Sequence, residues 1–465
     1  MAPILAIILL LNFFGSPVFA DNLAWYVFWP EVPDNNHQTE GLGTSLQPAN
    51  NEQFLAQLTN DAKIGGGGDV SACTSSSVGD GGSTWYWIAH IDQTVVQTKY
   101  LYDGGKSAMK MIRAVLHKGP PYEPPETFKG KRSIGKKQPL ALRDDTTQSG
   151  APRQLKFLSI SESGNNNIDG RDYYKYDETA GRGVRVYVVD SGLNFASTAW
   201  ESTDGRRAEI IYAEPWSKHY RGDLDNYMGH GTCMADVAVG RINGVAKRAD
   251  LTAVQIANDP NEPWSNLWIY ETTIDAFAKI ADDIDDKGLG DKAVVHMAWA
   301  IYDTQDIPER DEPFRQTLAE LFDHFDEKGV SLVVAQPNTR RYLYYPCLMG
   351  DPEDDYYVPN LITVGSAQVN DGTYSDAEVY RDDWTTIYAP RDDSRDGRQS
   401  KPGLVCAHFN GDENVHLPQG GTSHASAIVA GMMAYYKGLG LSNDDARARL
   451  LSDAYKRSDI GPDMP

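Results

Sequence analysis

The stretch that decides the fold reads VRVYVVDSG and runs from Val184 to Gly192. It is a near-continuous apolar run that ends on Asp190, and such runs are typical of parallel strands covered on both faces. Amphipathic segments at 272–286 and 314–328 predict helices between further strands. The alternation predicts an α/β fold, a three-layer sandwich with a mostly parallel sheet. The predicted strands are 184–190, 250–256, 293–300, 330–336, 361–368 and 385–389.

Two later glycine-flanked segments carry a histidine and a serine, Gly229-His230-Gly231-Thr232 and Gly421-Thr422-Ser423-His424-Ala425-Ser426. Taken alone, Asp190 reads as a turn residue, His230 as a structural histidine and Ser423 as a helix N-cap. Together they supply a hydroxyl nucleophile, a base that takes its proton and an acid that orients the base. The order Asp, His, Ser along the chain favours this catalytic interpretation. An α/β-hydrolase elbow does not fit, because residue 425 is alanine where that motif has glycine.

These segments resemble the subtilisin-like serine proteases, and the stretches 174–183 and 244–247 resemble the proteinase K branch. The resemblance implies a secreted serine endopeptidase that works through an acyl-enzyme intermediate. It assigns Asp190 as the orienting acid, His230 as the general base and Ser423 as the nucleophile. It also implies that Asn338 donates to the oxyanion, and that the pocket for the residue before the scissile bond is formed by Ala298, Trp299, Ala300 and Ile301.

The sequence departs from the family pattern in the pocket and in the oxyanion loop. Gln336-Pro337 precedes Asn338 where the family has Ala-Gly, and proline removes an N–H and fixes φ. Ala298–Ile301 replaces Ser-Leu-Gly-Gly, so side chains narrow the pocket and predict a preference for small residues. These departures keep an alternative open, a catalytically impaired protein of the same fold retained for binding.

The four cysteines are Cys73, Cys233, Cys347 and Cys406. If Cys73 leaves with a pro-region, at most one internal bridge remains, and we expect Cys347–Cys406. Cys233 is expected to be an unpaired thiol beside the base, because relatives carry a free cysteine one position later. A metal site at His230 and Cys233 is not expected, since a structural zinc site needs four converging ligands.

The chain divides into four segments. Residues 1–20 read as a signal peptide, with an apolar run followed by a small-residue cleavage site. Residues 21–116 predict a small α+β pro-region, with strands at 23–29 and 85–91 and helices at 51–58 and 105–116. The resemblance implies that this region is a folding template and inhibitor. Residues 117–152 form a Pro/Lys-rich linker whose dibasic pairs are either processing sites or solvated chain. Residues 153–465 form the peptidase domain.

The composition restricts the partners. A formal charge of -22 argues against nucleic acid, whose phosphates require a basic face. It indicates solubility or the steering of cationic substrates. We expect protein or peptide substrates, an extracellular monomer and no membrane contact after signal removal. No cofactor is expected, apart from calcium as an unplaced structural ion, since the acidic runs 351–355 and 392–396 read equally as solvated loops.

Overall fold

The structure is a computed structural model. It describes residues 23–28, 48–64, 70–75, 83–92, 95, 145–160, 168–195, 197–200, 208–213, 229–256, 269–302, 308–338, 344–369, 372, 384–391, 404–407, 415–416, 421–456 and 463–464. The predicted signal peptide, the helix at 105–116, both dibasic pairs and the acidic run 392–396 lie outside these ranges.

The chain forms two compact units. One comprises residues 1–128, 277–282 and 304–321, and the other comprises the remainder. Within the first, a three-stranded antiparallel sheet of order β1-β3-β2 contacts helix α1. Leu58 and Ala62 of the helix and Trp87 and Ala89 of the sheet are buried. This is the predicted α+β arrangement. The elements are β1 (Leu23–Phe28), α1 (Pro48–Ile64), β2 (Val70–Ser75) and β3 (Ser83–Asp92).

The second unit contains a sheet of seven strands, and every pair of neighbours in it is parallel. Its order is β14-β13-β11-β9-β6-β8-β7. The strands are β6 (Arg185–Asp190), β7 (Ala208–Tyr212), β8 (Asp250–Gln255), β9 (Ala293–Met297), β11 (Ser331–Ala335), β13 (Ile362–Gln368) and β14 (Ile387–Arg391). Short antiparallel pairs join β4 (Asp145–Ser149) to β5 (Tyr173–Asp177), β10 (Ile301–Tyr302) to β12 (Tyr344–Tyr345), β15 (Val405–Cys406) to β16 (Val415–His416) and β17 (Tyr455–Lys456) to β18 (Asp463–Met464).

The remaining described helices are α2 (Arg153–Leu158), α3 (His230–Val239), α4 (Ile269–Lys287), α5 (Pro308–Glu327), α6 (Thr422–Gly438) and α7 (Asn443–Asp453). One-turn 3₁₀ segments lie at Ile168–Gly170, Thr198–Trp200, Gly290–Lys292 and Cys347–Gly350. In the described ranges no helix combines the length and apolar character needed to cross a membrane.

Neighbouring residues of β6 contact helices on opposite faces of the sheet. Val186 and Val188 belong to the core that contains α3 and α6. Tyr187 lies between them and points the other way, where its hydroxyl donates to Asp283 of α4 at 2.6 Å. Neighbouring strand residues face opposite sides of a sheet, so this bond places α4 on the second face. The predicted α/β three-layer architecture is confirmed.

The strand order reverses beside β6. The strands β7 and β8 lie on one side of β6, and β9, β11, β13 and β14 lie on the other. Ligands of open parallel sheets bind at the carboxyl ends of the strands where the order reverses. Asp190 ends β6, and Ala298 directly follows β9. The topology thus brings two of the predicted site residues to this crevice.

The structure differs from the predicted elements in three places. Residues 145–149 were expected in the linker but form β4, because Thr146 and Thr147 pair with the aromatic strand β5. The strand predicted at 293–300 ends at Met297, and the chain pairs again only at Ile301. The edge strand β7 was missed because it is short and only half-buried.

Candidate active site

Asp190 and His230 form a direct pair at the carboxyl end of β6. The Nδ1 atom of His230 lies 2.8 Å and 3.0 Å from the two carboxylate oxygens of Asp190. Asp190 is 1% exposed, and its Oδ1 also accepts the N–H of Ser191 at 2.7 Å. A carboxylate accepts only, so Nδ1 carries the imidazole proton. In the neutral ring, Nε2 then carries the lone pair that can accept a proton.

Glycines allow the two elements to meet closely. Gly229 precedes α3 with φ of 85°, and Gly192 follows β6 with φ of 134°, both in the region that favours glycine. A Cβ at Gly231 would lie 2.3 Å from the carbonyl oxygen of Gly192. The N–H of Gly231 donates to Ser191 Oγ at 3.1 Å, which fixes the start of α3 against the end of β6.

Ser423 lies in the first turn of α6, and its side chain is almost fully buried. Its Oγ donates to the backbone oxygen of Ala298 at 3.3 Å. Helix N-termini present unpaired N–H groups and a positive dipole end. The hydroxyl therefore lies where negative charge on a neighbouring oxygen would be stabilised.

The side chain of Asn338 is held by the residue before Ser423. Its Oδ1 accepts from the N–H and from Oγ1 of Thr422, at 3.0 Å and 3.1 Å. Oγ1 of Thr422 also makes a short bond to the backbone oxygen of Gln336. Because Oδ1 is occupied as an acceptor, the Nδ2 group remains the donor of this amide. A Cβ at Gly421 would clash with Oδ1, so any larger residue there would displace the Asn338 amide.

The loop before Asn338 is tied to the sheet despite its unusual sequence. The N–H of Gln336 donates to the carbonyl of Val364 at 3.0 Å, and its side-chain amide donates to Thr385 Oγ1 at 2.6 Å. Although Pro337 has no N–H to donate, these two bonds of Gln336 anchor the loop directly before it.

The predicted pocket segment follows β9. Ala298, Trp299 and Ile301 are buried, and Ala300 is half-buried. The backbone of Ile301 pairs with Tyr345 in the β10–β12 ladder. This pairing fixes the end of the segment and keeps the Ile301 side chain inside the protein.

The expectations for the cysteines are wrong. The bridge joins Cys233 of α3 to Cys406 of β15, with Cα atoms 5.0 Å apart, and Cys347 is a buried thiol that is not part of this disulfide. Cys233 is therefore not an unpaired thiol beside the base. Pairing depends on which Cα atoms approach within bridging distance, and this cannot be deduced from spacing along the chain.

His424 contacts this bridge. Its Nε2 lies 3.3 Å from Cys233 Sγ, and burial lowers the pKa of His424 to about 3. The ring is therefore neutral and serves as a structural group. The sulfur atoms of Cys233 and Cys406 and a ring nitrogen of His424 lie within 4.8 Å of one another, which is close enough to hold a soft metal ion. The two sulfurs share a disulfide, however, and a disulfide offers no thiolate.

In the acidic run 351–355, two carboxylates are used for local turns. Asp351 Oδ1 accepts the N–H of Glu353 at 2.9 Å, and Asp354 accepts from the N–H of Tyr356 at 2.8 Å and from the hydroxyl of Tyr345 at 2.9 Å. Calcium there stays a prediction.

Three residues with contacts at the site were not identified from the sequence. Thr422 holds Asn338, while His296 and Ser426 form a buried bond at 2.8 Å beneath the first turn of α6. His296 is the one polar residue of β9, which was the available signal. Buried histidines in apolar strands are usually packed core residues, so this signal is weak.

The chain is similar in sequence to curated proteins. The chain is 30% identical over 302 residues to "Subtilisin-like protease 7" of Trichophyton equinum, which covers 64% of this chain and 63% of that protein. It is 28% identical over 262 residues to "Subtilisin-like protease 2" of Trichophyton rubrum, covering 56% and 52%. The chain thus spans less than two thirds of the length of these relatives.

Among solved structures, a cold adapted subtilisin-like serine proteinase matches with 20% identity and a TM-score of 0.48, covering 68% of this chain and 98% of that one. A family model, Peptidase_S8, matches residues 181–464, a segment that contains the Asp190–His230 pair, Asn338 and Ser423. Since that segment is more than half of the sequence, the chain belongs to the subtilase family.

Proposed function

We propose that this protein is a serine endopeptidase that hydrolyses peptide bonds through Asp190, His230 and Ser423. The observation that carries the proposal is the pair of contacts from His230 Nδ1 to the buried Asp190 carboxylate, at 2.8 Å and 3.0 Å. A neutral imidazole with its proton fixed on Nδ1 has Nε2 available as a general base. Family membership independently favours the same chemistry.

In the proposed reaction, Ser423 Oγ attacks the scissile carbonyl carbon while its proton moves to His230 Nε2. The imidazolium that forms is stabilised by the Asp190 carboxylate. His230 then gives the proton to the leaving amine nitrogen as the C–N bond breaks, which leaves an ester on Ser423. Water hydrolyses this ester by the same proton transfers and restores the hydroxyl.

The oxyanion of each tetrahedral intermediate would accept from Nδ2 of Asn338 and from the N–H of Ser423. Two features support this assignment. Thr422 occupies the acceptor end of the Asn338 amide, so the donor end remains for a ligand. Ser423 also lies at the N-terminus of a 17-residue helix, where the dipole favours negative charge.

We propose that the substrate residue before the scissile bond is small. Ala300 and Ile301 carry side chains at the positions where the family pattern has glycine, and Ile301 is held by its pairing with Tyr345. Peptide-library cleavage by the mature form should favour small residues there. Ile301→Ala should raise kcat/KM for peptides with Phe at this position by about 10-fold or more, since a few methylene groups of pocket space are worth about that factor. Efficient cleavage after Phe or Tyr by the unchanged protein would contradict the proposal.

We further propose that the protein is exported and made as a precursor. Residues 1–20 would direct export, residues 21–116 would inhibit the peptidase until removed, and the mature form would act outside the cell on proteins or peptides as a monomer. An internal disulfide supports export, because such bonds persist in oxidising compartments. N-terminal sequencing of the secreted form would locate both cleavage points.

A fluorophosphonate probe tests the central proposal, because it reacts only with an activated serine. The secreted mature protein should be labelled and should cleave peptides, and Ser423→Ala should do neither. A folded protein that resists the probe would instead support the catalytically impaired alternative.

A further inference from the structure

A histidine lies inside the core directly beneath the proposed nucleophile. His296 is fully buried in β9, where its register partners are Val188 of β6 and Val333 of β11. Both valines belong to the core shared with α6, so His296 faces that helix. The other residues of β9 are Ala, Val, Val and Met, and an apolar residue would satisfy the packing of this strand.

The contacts of His296 define a short chain of hydrogen bonds that reaches Ser423. Nε2 of His296 lies 2.8 Å from Ser426 Oγ, and Ser426 Oγ donates to the backbone oxygen of Ser423 at 2.9 Å. A hydroxyl has one hydrogen, so Ser426 must accept from His296, and Nε2 must carry the imidazole proton. Burial lowers the pKa of His296 to about 4, in keeping with a neutral ring.

The same strand end therefore holds the first turn of α6 at two points. The backbone oxygen of Ala298 accepts from Ser423 Oγ at 3.3 Å, while His296 holds the Ser423 carbonyl through Ser426. A serine bonded to the carbonyl three residues earlier competes with the helix and tends to bend it. The bond from His296 fixes the rotamer in which Ser426 makes this contact.

Nδ1 of His296 argues against a packing role. It is buried and has no hydrogen-bond partner among the described residues. Leaving a buried polar atom unpaired is unfavourable, and leucine would avoid it. The imidazole therefore carries a cost that packing alone does not explain.

We infer that His296 is a positioning residue for the nucleophile, acting through Ser426 on the backbone of Ser423. The inference rests on the proposed peptidase function. Its physical basis is that a displacement of about 1 Å in a reacting group lowers turnover about 100-fold. His296 itself does not touch the substrate in this mechanism.

The test uses the secreted mature protein, with active sites counted by the fluorophosphonate probe and kcat and KM measured on a peptide. His296→Leu and Ser426→Ala should each lower kcat about 10- to 100-fold and change KM by less than about twofold. His296→Gln, whose amide nitrogen has the same reach as Nε2, should restore kcat to within about threefold of the unchanged protein. The double variant His296→Leu with Ser426→Ala should resemble either single variant, because both act through one contact.

Ser331→Ala is the matched control. The Ser331 hydroxyl is buried and donates to Asn443 Oδ1 at 2.6 Å. Ser331 is the first residue of β11, so it lies at the end of the sheet away from Asp190. It should lower stability and leave kcat per active site unchanged.

Two results would overturn the inference. One is a kcat for His296→Leu or Ser426→Ala equal to that of the unchanged protein. The other is a Gln variant as impaired as the Leu variant. If His296→Leu fails to fold, Ser426→Ala, which removes a single oxygen, decides the question. An unchanged protein that neither cleaves nor labels would show instead that the proposed function itself fails.

Discussion

Nε2 of His424 lies 3.3 Å from Sγ of Cys233, so the residue after the proposed nucleophile contacts the first turn of the helix that begins with the proposed base. The disulfide continues this contact to Cys406, and the N–H of Ala407 donates to Asp236 of α3 at 2.7 Å. The N-terminal half of α3 is thus tied both to α6 and to β15.

Removing the bridge should destabilise the protein. In a Ser423→Ala background, which prevents self-digestion, replacing Cys233 and Cys406 by alanine should lower the free energy of unfolding by about 2–5 kcal/mol, the usual cost of losing a native disulfide. Urea unfolding followed by tryptophan fluorescence measures this. Cys347→Ala, which loses a buried thiol that is in no disulfide, is the control and should cost clearly less.

Replacing Asp190 by asparagine should lower kcat about 10⁴-fold with little change in KM. The amide can donate to His230 Nδ1, which would favour the tautomer with its proton on Nε2, and this tautomer cannot act as the base. Steady-state kinetics on a peptide substrate measures the loss. Asp283→Asn, which alters a half-buried carboxylate on the other face of the sheet, should keep kcat. A fall of less than about tenfold in Asp190→Asn would show that the pair is not catalytic.

We expect full turnover to require the hydroxyl group of Thr422. Thr422→Val removes the two bonds of the hydroxyl, to Asn338 Oδ1 and to the Gln336 carbonyl, while preserving shape. The amide is then held only by the backbone N–H of residue 422, so its orientation is less well fixed. We expect kcat to fall about 10-fold or more, less than the 10²–10³-fold expected for losing the oxyanion donor in Asn338→Ala. Thr422→Ser retains the hydroxyl and should stay within about threefold of the unchanged protein. Equal kcat in the Val and Ser variants would contradict this role.

Gly421→Ala tests the same amide sterically. The added Cβ would lie 2.2 Å from Asn338 Oδ1, so the side chain must move. We expect kcat to fall toward the value of Asn338→Ala. In the double variant with Asn338→Ala the clash is gone, and Gly421→Ala should have little further effect. An additive loss in the double variant would indicate damage elsewhere.

His424 makes stability depend on pH. Its pKa is about 3 in the folded protein, below the unfolded value of about 6.5, so the unfolded chain binds the proton first. The free energy of unfolding therefore falls by about 1.4 kcal/mol for each pH unit as the pH drops from about 6.5 toward 3. In the Ser423→Ala background, His424→Met should remove about 2 kcal/mol of the loss between pH 7 and pH 5. The prediction is refuted if the urea midpoint falls between pH 7 and pH 5 by the same amount with and without His424→Met.

The sequence was informative where structure follows from local pattern. The runs that became β6, β8, β11 and β13 were visible because parallel strands buried on both faces need continuous apolar residues. The approach of Asp190 to His230 could be anticipated because the order Asp, His, Ser and the family resemblance assigned the acid to orient this base.

The remaining features depend on contacts between distant parts of the chain. The Cys233–Cys406 bridge spans 173 residues, and no spacing rule selects it. The orientation of Asn338 is set by Thr422, and the role of His296 depends on Ser426. In sequence, Thr422, His296 and Ser426 each read as an ordinary cap or core position.

The central strand has a consequence for how the molecule reaches its folded state. Arg185 of β6 pairs with Asp250 on one side and with Ala293 on the other. Neither partner is near in sequence, so the long stretches of chain between them must be brought together before any ladder bond forms. Chains dominated by such non-local pairing fold slowly and expose apolar strands while they do so. Assistance during folding, such as that of a chaperone, would therefore change how fast this sheet assembles more than how stable it is once formed.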